Sequence, residues 1–197
     1  MGYLYVLMGK SATGKDSIYG ELTNKLPSGL KTAVIYTTRP VRSGEKNGVE
    51  YNFVTKKELD DFKRSGKLIE SRCFNTVMGE WYYFTADDGE IRLDEGDYIL
   101  INTLYGFTKI RDYYGKDKVY PIYMEISDKE RMHRAVRRED KEKNPNYAEL
   151  CRRFLADNED FSEENLKRAG VSEEFRFIND DFDECAEKIK NFILSKK

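Results

Sequence analysis

The chain has 197 residues and a formal net charge of −2, with 39% hydrophobic and 36% charged residues. That length suits one domain that buries roughly 70% of its unfolded surface, with room for a mobile insertion. The near-balanced charge excludes a global field for nucleic acid or an anionic membrane, so any anionic ligand has to be met by local basic residues. Cys73, Cys151 and Cys185 form no CxxC pair, which speaks against a disulfide framework or a structural zinc and for a reducing cytoplasm. No apolar run approaches the ~20 residues of a membrane span. The start "MGYLYVLMGK" has no basic region ahead of its apolar run and does not read as a signal peptide. Val6 breaks the pattern for a myristoylated Gly2.

In chain order, "YLYVLM" (3–8) reads as a buried strand and "KDSIYGELTNKL" (15–26) as a helix, with Ile18, Leu22 and Leu26 on one face and "PSG" ending it. "TAVIYT" (32–37) predicts a second buried strand, "RPVRSGEKNG" (39–48) a polar loop, and "VEYNFV" (49–54) a half-exposed strand. "TKKELDDFKRSG" (55–66) predicts a helix capped by Thr55 with Glu58 as its box partner. "KLIESRCF" and "WYYFTA" predict antiparallel strands; "DYILIN" (97–102) and "VYPIYMEI" (119–126) predict buried ones, joined through a crossover helix. Ser127 and Glu130 open a basic helix, "KEKNPN" (141–146) is a loop tip, and residues 147–161 resume helical spacing. "FRFIND" and "DECAEKIKNFIL" supply a last strand and helix. Strands alternating with helices at both ends predict an α/β fold with a parallel sheet covered on both faces. The short strands at about 39–86 predict a small mixed-β lobe inserted into it.

"GKSATGK" runs from Gly9 to Lys15 as G-x-x-x-x-G-K, after a strand and before a helix. Such a loop turns backbone N–H groups inward as an anion nest, and the following helix adds its positive end. Lys10, Ser11, Ala12, Thr13 and Gly14 complete the nest, Lys15 reaches outer phosphates, and Ser17 follows one residue beyond. Asp16 stands where a hydroxyl usually ligates Mg²⁺; a carboxylate is also a hard oxygen ligand, so Asp16 is the candidate metal residue. A second basic group, Arg39 and Arg42 with Glu45 and Tyr51, offers two guanidiniums and a phenol for a phosphate. Taken alone, that stretch equally fits a solvated surface loop. His133 reads as a surface residue, and "DDG" at 87–89 as a turn.

"TTRPVRSGEKNGVEYNF", the phosphate loop, "KLIES", "YYFT", the basic helix near 131–138 and "FINDDFDECAEKIKNFI" together resemble guanylate kinase, over almost the whole chain. The resemblance implies a P-loop core (1–34, 96–126 and 161–197), a lobe for the nucleoside monophosphate (35–95) and a helical lid (127–160). It implies transfer of a phosphoryl group from ATP to GMP with Mg²⁺, in the cytoplasm, with no nucleic-acid or membrane partner. By the same resemblance, Arg39, Arg42, Tyr51 and Tyr83 hold the GMP phosphate beside Glu45. Glu70 accepts from guanine N1–H and N2–H, and Thr85 contacts the base. Lys15 and the loop from Gly9 to Asp16 hold ATP phosphates, Asn179 lies near the adenosine, and Arg138 and Arg153 close over the transferring group. Lys15, Arg39, Arg138 and Arg153 are thus the expected catalytic cations.

Several positions depart from the family pattern. Asp16 replaces a hydroxyl, and Ile35 a serine that helps read guanine. Ile101 and Thr103 replace two aspartates that serve magnesium and nucleotide, and Thr103 is kept among the substrate-binding candidates. Phe84 replaces a glycine. Two further readings stay open: a guanylate-kinase-like module that binds without turnover, and a kinase for another small phosphate acceptor. The two anion pockets are expected to face one another across a cleft.

Overall fold

The computed structural model describes residues 2–25, 29–42, 44–76 and 79–196. β1 (Leu4–Gly9) is buried along its whole length, as its unbroken apolar run requires. It feeds the glycine-rich loop and α1 (Lys15–Lys25). Leu26, Pro27 and Ser28, expected to finish that helix, lie outside the described residues.

The run 32–37 is not one strand. It splits into β2 (Leu30–Thr32) and β3 (Tyr36–Thr37), which belong to different sheets. The residues between carry the chain across: Ala33 N–H donates to the Ile99 carbonyl at 2.9 Å, whereas the Ile35 carbonyl accepts from Asn52 N–H at 3.0 Å. The strand expected over 49–54 shrinks to β4 (Asn52–Phe53), because residues 48–50 turn and Gly48 sits at φ 78°. α2 (Lys56–Arg64) opens on the expected capping box of Thr55 and Glu58.

β5 (Leu68–Thr76) and β6 (Gly79–Ala86) pair antiparallel. β7 (Asp97–Ile101), α3 (Leu104–Tyr114) and β8 (Val119–Glu125) form the expected crossover. α4 (Asp128–Glu139) and α5 (Tyr147–Asp160) follow, capped by Ser127 and Asn146. α6 (Glu163–Arg168) is an addition to the expected elements; six residues are too few to show a helical period, although Ser162 caps it. A 3₁₀ turn (Glu173–Phe175), β9 (Arg176–Ile178) and α7 (Phe182–Ser195) end the chain.

The parallel sheet has the order β2-β7-β1-β8-β9, and a second, mixed sheet the order β4-β3-β6-β5. The chain gathers into two compact units, Met1–Val6 with Gly29–Tyr120, and Leu7–Ser28 with Pro121–Lys197. In the first, Leu59, Phe84 and Ala86 form a core beneath the mixed sheet, and Tyr36 stacks on Phe84 at 5.0 Å. In the second, α1 packs on α7 with Ile18, Leu22, Ile189 and Ile193 buried, and Tyr123 stacks on Phe161 at 5.4 Å. No described helix is long and apolar enough to cross a membrane.

Leu59 is fully buried where α2 meets the mixed sheet. Leu59→Ala is expected to destabilise the protein by about 3 kcal/mol through lost burial and a residual cavity, read as a lower denaturation midpoint.

Candidate functional site

The glycine-rich loop is built by close backbone approach. A Cβ at Gly9 would lie 2.7 Å from the Met124 carbonyl, and one at Gly14 would lie 2.5 Å from Asn179 Nδ2. Gly14 also sits at φ 91°, a conformation that glycine enters without penalty. Thr13 folds back, its hydroxyl donating to the Lys10 carbonyl at 2.9 Å. Asn179 donates through Nδ2 to the Thr13 carbonyl at 2.7 Å, which ties the loop to the end of β9. Ala12 holds φ 66° without being glycine, so the loop stores strain where its amides turn.

Beside the loop lies a pocket lined by Ala12, Gly14, Asp16, Ser17, Arg134 and Arg138. Arg134 and Arg138 are four residues apart on α4 and so share a face. Arg134 is a further cation of this pocket that the i, i+4 spacing to Arg138 marks in the sequence. Its Nε donates to Glu130 at 3.1 Å and its NH2 to the Asn179 carbonyl at 3.3 Å. Lys15 Nζ stands 3.9 Å from Asp16, whose side chain is 79% exposed. Arg153 does not join Arg138 here; it lies 3.9 Å from Glu139 and 3.8 Å from Glu149.

The first half of the loop is held from α4 and α5. Asp157 accepts from Ser11 N–H at 2.6 Å, and Asn158 Oδ1 accepts from Lys10 Nζ at 2.9 Å and from Arg131 at 2.7 Å. Arg131 is fully buried, with its guanidinium 3.7 Å over the Phe154 ring and its NH2 3.2 Å from Asp128.

In the first unit, Arg39 is 3% exposed and forks onto Glu45 at 3.0 and 2.8 Å. Its Nε donates to the Tyr83 hydroxyl at 3.2 Å, and it lies over the Tyr51 and Phe53 rings at 5.4 Å. Glu45 also accepts from Arg42 N–H at 2.8 Å, and the hydrogen bonds from Arg39 hold its carboxyl below the usual range. Arg39, Glu45, Tyr51 and Tyr83 therefore form one cluster, with the Arg42 side chain exposed at its edge.

Glu70 is 5% exposed. A register shift between Leu68 and Glu70 on β5 puts it opposite Thr85 of β6, and Tyr83 and Thr85, two residues apart, share a strand face. Glu70 Oε1 accepts from the Thr85 hydroxyl at 2.7 Å and from Asn102 Nδ2 at 3.1 Å. Burial pushes its carboxyl above the ordinary glutamate range, against the pull of those two donors. The Thr103 hydroxyl caps α3, accepting from Gly106 N–H at 3.1 Å.

A model of the guanylate kinase family matches residues 1–196. The chain belongs to the guanylate kinase family. The guanylate kinase of Vibrio vulnificus is 28% identical over 198 residues, covering 100% of this chain and 89% of that protein. The guanylate kinase of Malacoplasma penetrans is 27% identical over 209 residues, covering 99% and 94%. A crystal structure of guanylate kinase from Anaplasma phagocytophilum superposes with a TM-score of 0.69 at 21% identity, covering 99% of this chain and 86% of that one, and shows the shared fold.

Among the described residues of this guanylate kinase family member, no group of three or more His, Cys, Asp or Glu side chains could cage a metal by itself. Mg²⁺ needs no such cage, since it keeps its waters and binds through one or two carboxylates plus substrate phosphates. Asp16, exposed at the loop pocket, is a donor of that kind.

Removing Glu45 would leave the Arg39 guanidinium buried without its fork. Glu45→Ala is expected to cost about 3 kcal/mol of stability in urea unfolding, the scale for breaking a buried ion pair.

Proposed function

We propose that this chain transfers the terminal phosphoryl group of ATP to GMP. The observation that carries this is the buried carboxylate of Glu70 set on the same sheet as the Arg39 cluster: an acceptor for base donors and a cationic cradle for a phosphate. Guanine presents N1–H and N2–H side by side to a carboxylate, and adenine does not. A buried acceptor left unpaired is costly, so the wrong base is rejected.

On this reading residues 35–95 hold GMP, with Arg39, Arg42, Tyr51 and Tyr83 at its phosphate and Glu70 and Thr85 at its base. Residues 127–160 are the lid, and the remainder is the P-loop core. Arg39 is pre-oriented by Glu45, so little side-chain freedom is lost on binding. Within Gly9 to Asp16, with Ser17, Lys15 and the backbone N–H groups hold the ATP phosphates, apart from Ser11 N–H, which donates to Asp157 instead of joining the nest, and Asn179 keeps the loop in register. Lys15, Arg138 and Arg153 neutralise charge as the phosphoryl group moves, in a reaction that needs positioning and electrostatics rather than a covalent nucleophile. Arg153 has to leave Glu139 and Glu149 to do so, which makes lid closure an exchange of ion-pair partners. Asp16 would hold Mg²⁺, which supplies neutralisation of the phosphate oxygens when bound. Its carboxylate beside Lys15 also weakens nucleotide binding without the metal.

A coupled assay with ATP and magnesium is expected to show GMP turned over far above AMP, CMP and UMP. Tight GMP binding without turnover would instead indicate a binding module, and transfer to another acceptor a different kinase. Lys15→Ala is expected to lower kcat by roughly a hundredfold or more, as loss of one preorganised charge-stabilising group does. Asp16→Ala is expected to raise the magnesium concentration needed for half-maximal rate.

Glu70→Gln should abolish most GMP use, and its sign in pH is fixed. A raised carboxyl takes up its proton above the ordinary value of 4.5, so the acid limb of kcat/KM for GMP lies above that value. The folded chain binds this proton more tightly than the unfolded one, so the contribution of Glu70 to stability falls as pH rises through its folded value. Glu70→Gln is therefore expected to keep or raise Tm at neutral pH while GMP use collapses.

A further inference from the structure

We infer that Asn102 is a positioning residue of the base site, holding Glu70 and Thr85 in the arrangement that reads guanine. The inference rests on the function proposed above and adds a residue to it. Asn102 is 8% exposed, at the junction of β7 and α3. Its Nδ2 stands 3.1 Å from both Glu70 Oε1 and Thr85 Oγ1, and its Oδ1 accepts from Thr103 N–H at 2.7 Å. A carboxylate only accepts and a backbone N–H only donates, so the amide has one permitted orientation. The fold makes room for it: a Cβ at Gly106 would lie 2.2 Å from Asn102 Oδ1.

Three consequences follow from this geometry. Both side-chain bonds to Glu70 land on Oε1, so Asn102 and Thr85 fix the carboxylate through that one oxygen. Thr85 accepts from Asn102 while donating to Glu70, so the direction of its hydroxyl is set. The carboxylate also gains a donor in a place where water is scarce, which favours the charged form that guanine needs. A plain helix-capping role for Asn102 would require none of the contacts to Glu70 and Thr85.

The test uses the full chain, with GMP and ATP binding measured separately by calorimetry and thermal melting as a check of folding. Asn102→Leu is expected to weaken GMP about tenfold to a hundredfold, the scale of a lost hydrogen bond to a charged group, and to leave ATP affinity unchanged. Asn102→Asp keeps the shape but sets a second carboxylate against Glu70, so at a pH of about 8 it should weaken GMP more than Asn102→Leu does. A packing role predicts the reverse order, because aspartate is the better fit. In a Glu70→Gln background, Asn102→Leu should have little further effect on GMP. GMP affinity within about twofold of wild type in both single variants would overturn the role of Asn102 alone. The reverse order would do the same. A wild-type chain that binds no GMP would overturn the proposed function, and this inference with it.

Discussion

A backbone can hold an anion only if its amides turn inward, and they turn inward only where nothing else fills the space. Two close approaches meet that condition here. Gly9 lies against the Met124 carbonyl and Gly14 against Asn179, each too near for a side chain. The first presses the end of β1 onto β8 and the second pins the loop to the end of β9. The path of the loop from β1 into α1 runs between those contacts. Even the strained Ala12 is tolerated because its neighbours on both sides are held.

The first unit solves a different problem, the burial of charge. Arg39 and Glu70 are both nearly inaccessible, and each is satisfied in its own way. Arg39 has an opposite charge in Glu45, with Tyr83 and the Pro40 carbonyl taking further N–H groups. Among the described residues Glu70 takes neutral donors from Thr85 and Asn102, and burial displaces its carboxyl upward against those donors and the charge of Arg72. A paired cation suits a phosphate cradle, since it is already ordered. An under-compensated carboxylate suits base reading, since an incoming pair of donors completes it.

Much of this could be read from the sequence where local chemistry decides. The strand, glycine-rich loop and helix at the start, the capping box of Thr55 and Glu58, and the β5–β6 hairpin all depend on neighbours in the chain. What could not be read depends on the third dimension. The apolar run 32–37 gives no sign that it changes sheets after Thr32. The register shift at Ile69 that sets Glu70 opposite Thr85 leaves no mark in the pattern of residue types. Thr103 was singled out because of the position it occupies, yet its hydroxyl is engaged in capping α3, and the neighbouring Asn102 is the residue that reaches Glu70. Arg134 was legible in principle from its spacing to Arg138, but the helix carries so many cations that spacing alone did not single it out.

Tyr83 and Thr85 share one face of β6, one strand repeat apart, and a strand repeat is a fixed length of about 6.5–7 Å. On the proposed reading, one end of that interval meets the phosphate and the other meets the base. The hairpin then acts as a ruler cut to a nucleotide with a single phosphate. The interval measured is that between a base and its first phosphate, so a nucleoside without a phosphate could engage only one end of it.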